Sequence, residues 1–294
     1  MDLTSFLVVI KTLRVHQWVK NLLIFIPFIL AFKQVDLSRL WDVLLAFIAF
    51  CLCASASYII NDISDLESDR QHPLKQLRPI AAGAITQKTA YLLAIVALLL
   101  GVGIAATLSL QFQLALMVYL FVTLAYSFFF KSVVLLDVVV LGSLYTVRII
   151  AGIFAANVAI SYWILVFSMF MFISLAMLKR YSELYNLRKR EEETALGRGY
   201  IAKDLELVSS LGAAAGYIAV LIMVLYIHDP VNIEKYSKPD WLWLVFPALL
   251  YWVSRMWLIA HRGMMHEDPV LYALHDRPSY LVGAVCLLGF GLAI

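Results

Sequence analysis

The chain has 294 residues and a formal net charge of +3; 63% of its residues are hydrophobic, 15% are charged, and the mean hydropathy is +0.87. A soluble globular chain runs near half apolar and a quarter charged, so this balance excludes an ordinary soluble protein and points to a helical bundle in lipid. The small net charge says little by itself, and no nucleic-acid partner is expected.

Along the chain, the short apolar stretch Phe6 to Ile10 is followed at once by Lys11 and Arg14, and no cleavable signal peptide is expected. Nine runs then have the length to cross a bilayer as helices: 19–34, 40–60, 88–108, 112–130, 134–155, 160–178, 205–227, 240–260 and 278–294. They are too long and continuous for strands, and open sheet edges are not tolerated in lipid. The expected fold class is therefore all-α: a polytopic membrane protein with nine transmembrane helices in one bundle, a single domain over 1–294. With the N-terminus in the cytoplasm, eighteen Lys and Arg lie in inside segments and four in outside segments, and Arg148 stays within a span. The positive-inside rule then makes the N-terminus cytoplasmic. Loops 61–87, 179–204 and 261–277 fall on the same side, so chemistry on a water-soluble substrate is expected at the cytoplasmic face. Trp241, Trp243, Trp252 and Trp257 read as interfacial anchors of the eighth span. Cys51, Cys53 and Cys286 lie in apolar runs without a metal or redox spacing and read as small buried hydrophobes.

The second span runs directly into Asn61-Asp62-Ile63-Ser64-Asp65-Leu66-Glu67-Ser68-Asp69-Arg70. On a continuing helix, Asn61, Asp62, Asp65 and Asp69 fall within a sector of about 100°. Carboxylates gathered on one face at a membrane surface repel each other unless a cation sits between them. Mg²⁺ suits them, because it takes oxygen ligands and binds through one or two carboxylates plus substrate phosphates. The metal ligands expected here are Asn61, Asp62, Asp65 and Asp69. Downstream, His72-Pro73 and Arg78-Pro79 make an ordered turn, and Lys75 and Arg78 can neutralise phosphate oxygens. Both also serve as ordinary positive-inside charges. Arg148, inside a span, should face the bundle interior, either to bind phosphate or to brace the acidic cluster. Asp137 lies roughly 16 Å away along a helix and is no direct partner. The run Arg188 to Glu193 reads as a solvated helix with helix-neighbour pairs. Tyr126, Phe128, Phe129, Met169, Met171 and Phe172 either line an apolar groove or simply pack.

The NDxxDxxxD pattern of residues 61–69, in a chain with nine apolar spans, resembles the UbiA-type prenyltransferase superfamily over essentially the whole sequence. The resemblance implies a Mg²⁺-complexed diphosphate held between two acidic loops. The second acidic signature is missing, and Lys179-Arg180-Tyr181-Ser182-Glu183-Leu184 stands in its place. Together with Arg14…Trp18-Val19-Lys20-Asn21, His72-Pro73…Lys75…Arg78-Pro79, Lys131…Asp137, Tyr145…Arg148 and Asp276-Arg277, this is similar to the decaprenyl-phosphate phosphoribosyltransferase subgroup. The implied activity is Mg²⁺-dependent, inverting transfer of 5-phosphoribose from phosphoribosyl diphosphate to a polyprenyl (decaprenyl-type) phosphate, in a bacterial plasma membrane. A donor with an additional phosphate would explain basic residues where usual members carry acids.

The resemblance implies Asp62, Asp65, Asp69 and Glu183 as catalytic candidates. It implies Lys20, Asn61, Lys75, Arg78, Lys131, Arg148, Lys179, Arg180, Tyr181 and Arg277 as substrate-binding candidates, with Tyr181 and Glu183 on ribose hydroxyls or a metal-bound water. The alternatives are prenyl diphosphate transfer to an aromatic acceptor and, in another class, a non-enzymatic transporter. Transporters gather polar residues at the midplane, whereas here they gather at one surface. Prenyl length, exact donor and oligomeric state stay open.

Overall fold

The computed structural model describes residues 3–31, 36–71, 75–191, 193, 199–265 and 268–294, and its regular elements are all helical. They are α1 (Leu3–Thr12), α2 (Ile26–Leu30), α3 (Arg39–Ser64), α4 (Leu66–Gln71), α5 (Gln87–Ala105), α6 (Leu110–Phe128), α7 (Leu136–Ala156) and α8 (Tyr162–Lys189). There follow α9 (Leu205–His228), α10 (Pro230–Ile233), α11 (Val245–His261), α12 (Pro269–His275) and α13 (Arg277–Ala293), with short 3₁₀ segments between several of them. Seven helical segments among the described residues are long and apolar enough to cross a membrane, and eight if the bent N-terminal pair is one span. α13 is apolar but has 17 residues, about 25 Å of helix.

Two of the expected boundaries change. The span expected over 19–34 is not one α-helix: Val15–Phe25 is a 3₁₀ segment followed by α2, bent by 52° from the helix before it. The break sits at Arg14, whose backbone is left-handed (φ 51°, ψ 46°), a conformation unusual for a side chain with a Cβ. Three residues per turn then line Trp18, Asn21 and Ile24 along one face. Trp18 Nε1 donates to Ser55 Oγ at 3.0 Å, and Asn21 and Ile24 are buried. At the other boundary, residues 179–189, expected as loop, continue α8. The expected turn at His72-Pro73-Leu74 lies outside the described residues.

The contacts divide the chain into two compact units, Met1–Phe128 with Val147–Ile160, and Phe129–Thr146 with Ser161–Ile294. In the first unit, α5 lays Ala90, Ala94, Ala97 and Gly101 against α3. Small residues at this spacing let two backbones approach closely, the main source of helix association in lipid. The outward face of the same helix carries Leu92, Ile95 and Leu99 at 61%, 53% and 67% exposure, as suits a surface whose solvent is hydrocarbon. The 3₁₀ segment packs on α7 at Gly152, where a Cβ would stand 2.2 Å from the Ile24 carbonyl oxygen.

In the second unit, Ser174 of α8 joins three helices. Its hydroxyl donates to the Gly212 carbonyl of α9 at 2.7 Å and accepts from Trp257 Nε1 of α11 at 3.1 Å. Trp252 Nε1 likewise donates inward, to Ser279 Oγ at 2.9 Å. These two indoles therefore tie helices together, and Trp241 and Trp243 are each 43% exposed. Phe172 stacks on Tyr145 (4.5 Å between centroids) and Met171 is buried, whereas Phe128 and Phe129 are exposed.

Gly152→Ala is expected to cost about 1–3 kcal/mol, as for other overpacked sites, and to lower the thermal midpoint in detergent. Gly103→Ala, which meets nothing within 4 Å, should leave it unchanged.

Candidate active site

The helix that carries the acidic residues does not continue through them. α3 ends at Ser64, Asp65 caps it with φ −91° and ψ 8°, and α4 starts at Leu66. Asp62 and Asp69 are nevertheless brought to one guanidinium. Arg78 Nη1 lies 3.1 Å from Asp62 Oδ1 and is also paired with Asp69 Oδ2. Arg14 grips Asp62 from the other side, with Nε on Oδ2 at 3.1 Å and Nη2 on Oδ1. Lys75 Nζ stands 4.0 Å from Asp69 Oδ1. Asn61 and Asp65 form a separate pair, Nδ2 to Oδ2 at 3.1 Å.

This cluster is layered. The Asp62 and Asp69 side chains are 6% and 1% exposed, whereas Arg14, Arg78 and Lys75 are 19%, 27% and 46% exposed. Carboxylates lie beneath and cations lie towards solvent, so an incoming anion meets positive charge first. The cation between the acids, expected from sequence to be a metal, is here arginine. Among the described residues, no group of three His, Cys, Asp or Glu side chains is placed to hold a metal ion. Asp69 Oδ1, however, is buried without a hydrogen-bond partner among the described residues.

Arg148, 4% exposed, donates from Nε to Asn21 Oδ1 at 2.8 Å and from Nη2 to the Tyr119 hydroxyl at 3.1 Å. It ties α7 to the 3₁₀ segment and α6. Of the two roles expected for it, bracing is the one these contacts serve, and they brace the N-terminal segment. Lys20 is half-buried on that same segment.

In the second unit, Arg180 is 1% exposed and buried against acids. Its Nε donates to Asp137 Oδ2 at 2.7 Å, and Nη1 pairs with Glu183. Lys179 Nζ lies 3.3 Å from Asp268 Oδ2. Each cation of the basic pair of α8 is thus matched by an acid distant in sequence, and Arg180 also by Glu183 three residues on. Tyr181 turns away from Glu183. Its hydroxyl is 3.2 Å from His261 Nδ1, and with Tyr185, Arg188, Lys189, Glu206 and Ser209 it lines a cleft of about 420 Å³. Arg188 pairs with Glu206, at 2.7 and 3.0 Å, instead of with neighbours in its own charge run; Glu192 lies outside the described residues. Lys131 is half-buried in a 3₁₀ turn. Arg277 is the exposed first residue of α13; the neighbouring Asp276 caps that helix and binds Arg255 at 2.6 and 2.9 Å. Burial opposes ionisation of Asp276, yet the hydrogen bonds from Arg255 and Ser279 outweigh it and hold the carboxyl below its usual range.

Arg14 and Asp137 enter from sequence only as matches to the subgroup, with no site role, and Tyr200, whose hydroxyl donates to Asp137 Oδ1 at 2.8 Å, and Asp268 do not enter at all. Arg14 reads there as a topogenic charge, and its partner is 48 residues away. Asp137 carries one usable signal, since an acid at the head of an apolar run needs a buried cation.

Arg148→Ala is expected to lower the detergent thermal midpoint by several degrees, because Asn21 and Tyr119 each lose a charged donor, at about 1–3 kcal/mol in all. Arg148→Lys should not restore it, having one nitrogen where two are used. An unchanged melting curve for Arg148→Ala would remove the bracing role.

The UbiA prenyltransferase family model matches residues 22–275. "Uncharacterized protein y4nM" of Sinorhizobium fredii is 41% identical over 286 residues, 97% of this chain and 55% of that protein, so the chain spans about half of its length. "Nodulation protein NoeC" of Azorhizobium caulinodans is 34% identical, covering 98% of this chain and 92% of that one. "Decaprenyl-phosphate phosphoribosyltransferase" of Mycolicibacterium smegmatis is 38% identical over 293 residues, covering 97% and 92%. The solved structure of a UbiA homolog from Archaeoglobus fulgidus bound to GPP and Mg²⁺ superposes with a TM-score of 0.71 at 17% identity, covering 97% of this chain and 99% of that one; a likeness at that identity concerns the fold. The chain belongs to the UbiA prenyltransferase family and is an integral membrane protein.

Proposed function

We propose that the whole chain, acting as one enzyme, transfers 5-phosphoribose from phosphoribosyl diphosphate to a polyprenyl phosphate at the cytoplasmic face of a bacterial plasma membrane. The observation that carries the diphosphate assignment is the layer of Arg14, Arg78 and Lys75 over the buried Asp62 and Asp69. The donor is narrowed by α8, which bears Lys179-Arg180 where usual family members have acids, and by the near-full-length Mycolicibacterium smegmatis relative with that activity in its name.

The donor set fits Mg²⁺ shared with the substrate rather than caged by protein. Mg²⁺ binds through one or two carboxylates plus phosphates and water, and Asp69 Oδ1 is a buried oxygen 4.0 Å from the Lys75 ammonium with no hydrogen-bond partner among the described residues. Asp62, Asp65, Asp69 and Asn61 would hold the ion, which when bound supplies Lewis-acid charge to the leaving diphosphate. Arg78 moves from carboxylate to phosphate oxygens, exchanging one charge-assisted hydrogen bond for another. Arg14 keeps Asp62 in place during that exchange.

At the anomeric carbon, a polyprenyl phosphate oxygen forms the new C–O bond. The bond to diphosphate breaks with its electron pair on the leaving oxygen. The attacking phosphate is already ionised near neutral pH, so no general base is needed. Positive charge developing on the ribose ring favours nearby carboxylates. Attack opposite the leaving group converts an α-donor into a β-product.

The test supplies the purified chain with labelled phosphoribosyl diphosphate or labelled geranyl diphosphate, each with polyprenyl phosphate and with a phenolic acceptor. Label is expected in polyprenyl phosphate from the first donor alone, as the β-anomer. EDTA should abolish transfer and Mg²⁺ restore it. Asp69→Asn is expected to lower turnover at least about 100-fold, as loss of a charge-stabilising group does elsewhere. Label entering lipid only from geranyl diphosphate, or an α-product, would overturn the assignment.

A further inference from the structure

The cleft of about 420 Å³ beside Tyr181 lies within the second unit, where the last turns of α8 and α11 meet the first turns of α9. All three helices belong to segments long and apolar enough to cross a membrane. The cleft therefore opens at the level where apolar chain gives way to lipid headgroups. Its volume is in the range of small-ligand sites.

The floor is aromatic and held in place. Tyr181 is buried against both Tyr185 and Trp257, with ring centroids at 6.4 and 5.9 Å, and its hydroxyl is 3.2 Å from His261 Nδ1. α11 ends beside it in a Schellman turn, in which the Met264 N–H donates to the Ile259 carbonyl at 3.1 Å and the Gly263 N–H to the Ala260 carbonyl at 2.9 Å. Gly263 has φ 68°, and a Cβ there would stand 2.5 Å from the Tyr185 ring. Only a glycine lets this turn close against the tyrosine.

The rim carries the charge. Arg188 sets both terminal nitrogens on Glu206, and Nη2 also reaches the Ala202 carbonyl at 3.2 Å. Arg188 and Glu206 cancel, which leaves Lys189, the exposed last residue of α8, as the surplus charge among the lining residues. Protonated His261 adds to it. Leading away from His261, α11 exposes Leu258 and Tyr251, three and ten residues earlier and so on one helix face. Ser254 on that face is joined to Tyr217 of α9 at 3.0 Å.

A positive rim over an aromatic pocket, continued by an exposed apolar stripe, complements a molecule with a phosphate at one end and hydrocarbon at the other. We propose that this cleft binds the headgroup of an anionic glycerophospholipid, with the phosphate at Lys189 and His261 and an acyl chain along Leu258. None of its lining residues belongs to the acidic cluster of the first unit, and the inference does not depend on which group the enzyme transfers. Basic residues at the ends of α8 and α11 also suit the helix dipoles, but that role is indifferent to the lipid present.

The experiment titrates phosphatidylglycerol, phosphatidylcholine or glycerol 3-phosphate into the full chain in detergent micelles. It follows the thermal midpoint and counts retained lipid by native mass spectrometry. Phosphatidylglycerol is expected to raise the midpoint and to be retained in preference to phosphatidylcholine. Lys189→Ala should raise the half-saturating concentration about fivefold, the weight of one cation near anionic lipid. Glu206→Gln should lower it by a similar factor, since it uncovers Arg188. Lys88→Ala, which removes an exposed cation at the head of α5, should leave it unchanged.

If Glu206→Gln fails to fold, Lys189→Ala and Lys88→Ala still decide the matter. An equal response to phosphatidylcholine, no effect of Lys189→Ala, or an equal effect of Lys88→Ala overturns the proposal. Saturation by glycerol 3-phosphate at the concentration that phosphatidylglycerol needs also overturns it, because the site would then serve a soluble phosphate.

Discussion

Arg78 bridging Asp62 and Asp69 is the contact on which the first unit's polar end is organised. The two carboxylates are separated by a helix break at Asp65, and without a shared cation they would repel each other in a place where water reaches them poorly. The guanidinium settles that repulsion and also pins the loop that carries it. Ile80, two residues on, is buried in the cluster of Ile59, Leu66 and Ala90, so apolar packing and ion pairing fix the same turn. Arg14 adds a hold from the N-terminal side at the cost of a left-handed backbone, about 1 kcal/mol or more, which persists because Asp62 offers both oxygens to it.

Each unit follows a common rule for polar groups in a lipid-facing bundle. A side chain able to donate is given an acceptor on another helix, as with Arg148 on Asn21 and Tyr119, Ser174 on Gly212, and Trp252 on Ser279. Individually such bonds contribute roughly 0.6 kcal/mol in a membrane, because the unfolded chain in lipid finds partners too. Their weight lies in specificity: a rotated or shifted helix would leave the donor bare in hydrocarbon. Close packing of small residues, as along α5, supplies the attraction.

Most of the helical layout was legible because crossing a bilayer demands a length of apolar chain that nothing else in the sequence imitates. The exceptions are instructive. Residues 19–34 read as a plain span, yet Asn21 needs Arg148, and the chain there adopts the three-residue repeat that aligns Trp18, Asn21 and Ile24. Residues 179–189 read as loop because they are charged, yet they stay helical because Arg180 and Lys179 have acids waiting for them. The convergence of Asp62 and Asp69 was visible from their spacing. That arginines occupy the place between them was not, because Arg14 and Arg78 are 48 and 16 residues from Asp62 and no local period links them.

The pairing on α8 changes how a multiply phosphorylated donor would be accommodated. Counted by sequence, Lys179 and Arg180 outnumber Glu183. Counted in the structure, they meet Asp137, Glu183 and Asp268, so these five groups sum to minus one. This basic pair then offers extra phosphate no uncompensated charge, and a cation of the pair that bound it would change partners. Arg180 is poorly suited, since leaving would strand the buried Asp137. Lys179 is better suited: its side chain is 37% exposed. Its partner Asp268 keeps a second engagement without it, capping α12 through the Val270 N–H at 3.1 Å. A lysine ammonium is a compact charge on a flexible stem, so moving it from Asp268 to a phosphate requires only side-chain rotation. Of the two neighbouring cations of α8, Arg180 is held by the buried Asp137 and by Glu183, and Lys179 is the one that side-chain rotation alone can release.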